Sequence, residues 1–195
     1  MLTDRIISAF TFRREVYKEV ERDTTFTSTA WLLVIVVAFL EQLGSNAARA
    51  RDVGVGAWLI GTIVGTVVAV IAFAVGAFVI NWVGRTVFNA DVTFEELVRT
   101  LGLAYVWHIV GVIGVLTAFS DTLKCLLTPV AVIAAIMGLI SWFVATKEAL
   151  DLEWVQTIDT VILGWLALFV VMFIAAAVLG MVGLTIAAVG GLIGG

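Results

Sequence analysis

The chain has 195 residues, of which 62% are hydrophobic and only 13% are charged, and its formal net charge is −4. A soluble domain is typically about half apolar and about a quarter charged, so this composition excludes an ordinary soluble domain and indicates a membrane protein. The acidic balance, without a basic patch, argues against a nucleic-acid partner. Together with the long apolar runs described below, the apolar composition predicts an all-α, polytopic membrane helical bundle.

The N-terminal segment, residues 1–28, is predicted to be an amphipathic cytoplasmic helix followed by capping residues. Apolar side chains recur at three- and four-residue steps from Leu2 to Val20. The opposite side carries acidic and basic residues in near balance, which argues against a polybasic lipid switch. The pattern fits a helix that lies on the membrane surface or docks a partner. It fits equally well a helix that packs on its own bundle, and both interpretations stay open.

Residues 29–183 form the predicted membrane domain, in which apolar runs indicate five transmembrane helices. We place the spans at about residues 30–43, 57–83, 97–118, 126–145 and 157–180. The second span is longer than the roughly 30 Å hydrocarbon layer requires, so we expect it to tilt. Residues 184–195 form an apolar, glycine-rich tail without charge.

Lysine and arginine residues mark the two predicted sides of the membrane, because cytoplasmic loops carry an excess of them. One side holds Arg5, Arg13, Arg14, Lys18, Arg22, Arg85, Arg99 and Lys147. The other side holds only Arg49, Arg51 and Lys124. Five crossings therefore place the N-terminus in the cytoplasm and the C-terminus outside.

The third span has a well-defined start. Thr93 and Glu96 have the spacing of a capping box, in which each side chain bonds the other residue's amide. Val92 and Leu97 stand where a hydrophobic staple would close over that cap. No formal charge follows Arg99 until Asp121. We read this segment as a membrane helix around which the chain is organised.

Small residues predict where helices approach closely. Gly61 and Gly65 make a small-xxx-small step in span two. We interpret it as a packing seam within the chain in preference to a dimer interface. Asn81 is expected to bond a neighbouring helix or a lipid headgroup. In span three, an α-helix would put His108 on one face with Ala104, Gly111 and Val112. The candidates for helix packing or partner contact are Gly61, Gly65, Asn81, Ala104, His108, Gly111 and Gly114.

His108 is the only histidine and the one titratable group deep in a predicted span. An ionisable residue there is a functional hypothesis by default. It could relay protons, ligate a pigment or haem, or contact a partner subunit. A neutral imidazole bonded to a neighbouring helix is the favoured interpretation, because a lone histidine lacks the carboxylate or second ligand that these roles use. Glu41, Asp121 and Asp159 all fall near predicted span ends.

The sequence lacks the residue sets of common enzymes. It contains no phosphate-binding glycine loop and no His-Glu-x-x-His pair, and one histidine with one cysteine, Cys125, cannot supply the ligands of the usual metal sites. We therefore predict no catalytic residues, no metal and no cofactor, with His108 as the candidate should a cofactor bind. The protein is expected not to be an enzyme.

Three hypotheses about function follow. The first is a non-enzymatic adaptor, scaffold or accessory subunit that packs against lipids, other membrane proteins or copies of itself. The second is a small transporter or permeation protein that uses His108 and Asn81. The third is a subunit of a pigment or electron-transfer complex.

The runs TFEELVRTLGLAYV, from Thr93 to Val106, and ATKEAL, from Ala145 to Leu150, resemble the Yip domain family, named for Ypt-interacting proteins. The resemblance covers nearly the whole chain and implies a cytoplasmic N-terminal segment with five spans. Leu103 stands where members commonly have tyrosine, and Trp107 or His108 stands where they have proline. The acidic Asp-Leu-Tyr-Gly-Pro signature of eukaryotic members is absent. The resemblance is therefore closer to prokaryotic members, and it implies a location in the cell (inner) membrane.

Overall fold

The computed structural model describes residues 1–193, with side chains described except at 49, 51, 52, 121 and 182–193. This part of the chain is almost entirely helical and contains no strand, which confirms the predicted all-α membrane bundle. The α-helices are α1 (Leu2–Phe10), α2 (Arg14–Arg22), α3 (Phe26–Ser45), α4 (Ala50–Val53), α5 (Val55–Val87), α6 (Phe94–Ala104), α7 (Asp121–Leu150) and α8 (Trp154–Ile193). Two segments wind as 3₁₀-helices, a short turn at Ala47–Arg49 and a long one at Tyr105–Ala118.

Five helical units are long and apolar enough to cross a membrane. They cover Phe26–Ser45, Val55–Val87, Phe94–Ala118, Thr122–Leu150 and Trp154–Met181. The third unit joins α6 to the long 3₁₀ segment, and we refer to it as span three. The span limits given from the sequence remain predictions of where each helix enters and leaves the hydrocarbon layer. In the predicted tail, the backbone continues α8 as far as Ile193. The side chains of the tail, and the whole of Gly194 and Gly195, lie outside the described part of the chain.

The five spanning units are neighbours in a ring. Span three packs against α3 on one side and against α7 on the other, α7 contacts α8, α8 packs along α5, and α5 returns to α3. The N-terminal half of span three lies deepest, because residues 97–106 are all buried. The outer faces of α5, α7 and α8 carry many exposed apolar side chains, such as Phe78, Ile133 and Phe169. An apolar outer surface of this kind suits contact with lipid.

An aromatic cluster fills the centre of the ring. The Phe73 ring, on α5, meets Trp31 of α3, Tyr105 of span three and Trp142 of α7 edge-on at centroid distances of 5.7, 5.5 and 6.0 Å. Trp142 continues the cluster to Trp165 of α8. Edge-to-face contacts at these distances add to the van der Waals packing that holds membrane helices together. One side chain therefore links four of the five spanning units.

The capping box predicted at the start of span three is formed. The Thr93 amide donates to Glu96 Oε2 at 2.6 Å, and the Glu96 amide donates to Thr93 Oγ1 at 3.3 Å. Two amides that the first turn cannot pair internally are thereby satisfied. Span three begins at a defined residue, and this fixes the register of the groups further along it.

Replacing Thr93 by Ala is expected to lower the free energy of unfolding by about 1 kcal/mol, because the Glu96 amide loses its acceptor. Denaturant titration of the purified protein in mixed micelles measures this difference. Glu95→Gln is the control, since Glu95 is exposed and takes no part in the cap. An unchanged midpoint for Thr93→Ala would show that the cap contributes nothing.

Candidate functional site

The 3₁₀ segment in the second half of span three determines which side chains share a face. A 3₁₀-helix has three residues per turn, so side chains three apart are eclipsed. Tyr105, His108, Gly111, Gly114 and Thr117 therefore form one row. The predicted α-helical face, with Ala104 and Val112 beside His108, is wrong, because each of these two residues lies about a third of a turn away from that row.

The row's two glycines lie against α3. A Cβ on Gly114 would come within 2.7 Å of the Gly44 carbonyl oxygen, and a Cβ on Gly111 would come within 3.0 Å of Glu41 Cγ. A Cβ on Gly44 would overlap the Gly111 carbonyl group. We call Gly44, Gly111 and Gly114 the glycine seam. Without side chains at these positions the two backbones touch, as small residues permit between membrane helices.

His108 is paired with a carboxylate. Its Nδ1 lies 3.2 Å from Glu41 Oε1 on α3, and its ring stacks on Tyr105 one 3₁₀ turn earlier, with the centroids 4.5 Å apart. The His108 and Glu41 side chains are 29% and 30% exposed. The two groups therefore share a hydrogen bond, and each remains partly exposed.

Glu41 is the residue that reasoning from the sequence missed. It was set aside because it lies close to the end of the predicted first span. Glu41 lies about one turn before the end of α3 at Ser45. The structure brings it beside His108, because span three runs alongside this end of α3 and places Gly111 and Gly114 against it. A period of three in the polar and small residues from Tyr105 to Thr117 is the signal that could have revealed their common face.

The other predicted packing residues lie apart from this site. Gly61 is exposed, and a Cβ there would meet no atom within 4 Å, whereas a Cβ on Gly65 would come within 2.5 Å of Gln42 Oε1. Asn81 is buried and donates from Nδ2 to the Val92 carbonyl at 3.3 Å, just before span three. Ala104 is fully buried. Only His108, Gly111 and Gly114 are brought together.

A second polar arrangement fixes α1 and α2, which we call the N-terminal hairpin, to the bundle. Arg99 of α6 is only 4% exposed. Its Nε donates to the Glu21 carbonyl at 2.9 Å, its Nη2 contacts the same oxygen, and its Nη1 donates to Thr27 Oγ1 at 3.1 Å. A buried cation is tolerated when such bonds satisfy it. Arg99 thus ties the end of α2 and the start of α3 to span three.

The hairpin also contacts α7. The Tyr17 hydroxyl shares a hydrogen bond of 2.8 Å with Ser141 Oγ, and both residues are fully buried. Lys18 Nζ lies 3.6 Å from Glu148 and 3.4 Å from Asp151. The turn between α1 and α2 contacts span three, because the Phe12 ring stacks on that of Trp107. Of the two open interpretations of the N-terminal helix, packing on its own bundle describes α2.

Stability at alkaline pH is expected to depend on Tyr17. Burial raises its pKa from 10.0 to about 12, against the lowering effect of the Ser141 hydrogen bond. The folded state then keeps a proton that the unfolded chain loses, so this contribution is complete below pH 10 and is lost as the pH rises towards 12. The loss is on the order of 2–3 kcal/mol. Unfolding titrations should show a shallower alkaline decline for Tyr17→Phe, and an identical decline would contradict this assignment.

The Glu41–His108 pair offers hydrogen bonding and charge to a ligand. Among the described residues, no group of three or more histidine, cysteine, aspartate or glutamate side chains is placed to hold a metal ion. Cys125 is exposed and remote from His108 in the chain. The Glu41–His108 pair can accept hydrogen bonds and carry one negative charge, which is the property that a cationic group would recognise.

Comparison with known proteins bears on the whole chain rather than on the site alone. No curated protein and no solved structure matches it. A family model, the Yip1 domain, matches residues 7–176, from α1 into α8. This match covers the N-terminal hairpin from Ile7 onward, the glycine seam and the His108 pair, and it confirms the resemblance drawn from the runs at Thr93 and Ala145. The chain therefore belongs to the Yip1 domain family of membrane proteins.

Proposed function

We propose that this membrane protein is a non-enzymatic adaptor, scaffold or accessory subunit that holds partners through packed helices. The observation that carries the proposal is the attachment of the N-terminal hairpin by Arg99. Two hydrogen bonds from the buried guanidinium to the Glu21 carbonyl hold α2 on span three, and a third, to Thr27, holds the start of α3. A hairpin held in this way presents a fixed surface rather than a loose tail, and a fixed surface loses less entropy when it binds.

The outer side of the hairpin is the docking surface in this proposal. Arg13, Glu15 and Glu19 are exposed there, whereas Val16 and Val20 face the bundle. The distribution of lysine and arginine supports an N-terminus in the cytoplasm and a C-terminus outside. The docking surface would then face the cytoplasm of a cell whose inner membrane holds the protein.

Lipids and other membrane proteins, or further copies of the chain, are the proposed partners within the bilayer. Gly61 supports contact with another helix, because it is exposed on α5 and the larger Trp58 and Val64 lie one turn to either side of it. A glycine flanked by larger residues leaves a notch into which a second helix can fit. The proposal therefore assigns Gly61 to contact with a partner helix, whereas the sequence predicted a packing seam within the chain.

Site-specific photo-crosslinking in native membranes tests the adaptor proposal. A photoreactive residue at Glu15 should give a discrete product with a second protein, identified by mass spectrometry. The same residue at the exposed Thr122, at the opposite end of the bundle, is the control and should not give that product. If Glu15 gives no product, or if the protein purifies in mild detergent only as an isolated monomer, the proposal fails.

Permeation is the second candidate, and the Glu41–His108 pair beside a cavity favours it. Both members of the pair are partly exposed, but the preceding residues of span three, 97–106, are all buried. A path across the membrane would therefore have to open at Tyr105. Flux of protons, ions or small solutes into proteoliposomes that is lost on His108→Leu would support this function. Absence of flux in the unaltered protein would remove it.

A further inference from the structure

A cavity of about 490 Å³ lies between the end of α3, the 3₁₀ segment of span three and the first half of α7. Its walls are mainly small or apolar, including Gly111, Ala131 and Ala135. Pockets of this size hold small molecules in other proteins. The cavity follows α7 from Lys124 to Ala135, which is about 16 Å at the helical rise of about 1.5 Å per residue.

The two ends of the cavity carry opposite charges. Glu41 and His108 line one end, whereas Lys124, in the first turn of α7, lines the other. Among the residues whose side chains the structure describes, no other acid, lysine or arginine lines the cavity. Between the ends the wall is formed mainly by alanine, glycine and aliphatic side chains, with hydroxyls such as that of Thr128.

Hydrogen bonding at the Glu41–His108 end defines what can bind there. The 3.2 Å contact fits an imidazole whose Nδ1–H donates to the carboxylate. The second carboxylate oxygen and Nε2 then remain as acceptors. A methyl group at Gly138 would lie 3.7 Å from Nε2, so the glycine leaves room beside that nitrogen. With this tautomer and an ionised Glu41, the site suits a cation that donates N–H groups.

We propose that this cavity binds an elongated zwitterion, with its ammonium group on Glu41 and His108 and its acid group at Lys124. A simple alkylamine would satisfy one end and leave Lys124 without a counter-ion from the ligand. A simple carboxylate would meet Lys124 and leave the acceptors at the other end unpaired. An ω-amino acid satisfies both ends, and its methylene chain suits the alanine and glycine walls. The proposal does not depend on the adaptor function.

The single histidine provides a direct probe. Protein labelled with [¹⁵N]histidine and reconstituted in nanodiscs of zwitterionic phospholipid should give one imidazole signal set. Titration with 6-aminohexanoate at constant pH should shift these signals saturably, whereas hexanoate should not. Glu41→Gln should weaken binding at least about tenfold, since a charge-assisted hydrogen bond is lost. Lys124→Gln should reduce the affinity for 6-aminohexanoate to that for hexylamine.

Two further variants separate binding from folding. Ala134→Phe fills the cavity without altering its charges, and it should abolish the shift while the unfolding midpoint stays close to that of the unaltered protein. Glu95→Gln removes an exposed carboxylate elsewhere and should bind normally. The proposal is overturned if Glu41→Gln or Ala134→Phe binds like the unaltered protein. It is also overturned if Lys124→Gln has no effect, or if the signals respond to pH alone.

Discussion

Replacing Gly44 by Val is expected to destabilise the bundle by about 3 kcal/mol or more. The first side-chain carbon would overlap the Gly111 carbonyl, and this obstacle is backbone rather than the tip of a movable side chain. Relief requires α3 and span three to separate along the whole glycine seam, which would also pull Glu41 away from His108. Denaturant titration in mixed micelles measures the loss of stability.

Gly61→Val is the matched control for this experiment. It makes the same substitution within another spanning helix, but at a position where a Cβ meets no atom within 4 Å. Both variants replace a helical glycine by valine, so differences in helix propensity largely cancel. Equal stability of the two variants would show that the close approach of α3 and span three contributes little.

Arg99→Met is expected to cost about 3 kcal/mol and to release the N-terminal hairpin. Methionine keeps an unbranched apolar stem in the buried site, but it cannot donate to Glu21 or Thr27, so a buried carbonyl loses its donor. Trypsin should then cut after Arg14 and Lys18 faster than in the unaltered protein. The remaining helix content, measured by circular dichroism, should stay near its original value.

Arg85→Met is the corresponding control, because Arg85 is exposed on the last turns of α5. It removes the same charge from the chain without touching the hairpin. If Arg99→Met and Arg85→Met are cut at the same rate, the hairpin is held by its apolar contacts and its links to α7 instead. That result would also remove the main support for the adaptor proposal.

The fold could be predicted from the sequence because membrane helices satisfy their own backbone groups. Long apolar runs, the Thr93–Glu96 cap and the flanking charges are local signals, and each acts within one segment. The N-terminal hairpin was less accessible to this reasoning. Its amphipathic pattern shows that one face is buried, but Arg99 lies 78 residues from its partner Glu21, and no local pattern joins them.

The site was only partly predictable, for two physical reasons. The choice between 3₁₀ and α-helical winding depends on small energy differences and on contact with α3, so the face that holds His108 could not be fixed from propensity. The pairing with Glu41 depends on the relative heights of two helices, which no spacing along the chain encodes. The glycines at 111 and 114 were recognised as small, but Gly44, their partner, falls just beyond the predicted end of span one at about residue 43.

The winding of Tyr105–Ala118 also restricts how this segment can vary in length among related proteins. Each added or deleted residue would turn everything beyond it by about 120°. A single insertion after His108 would therefore carry both later glycines away from α3, whereas three residues would restore their direction. We expect natural variants to gain or lose residues here in triplets, and single-residue gaps to fall in the loops instead.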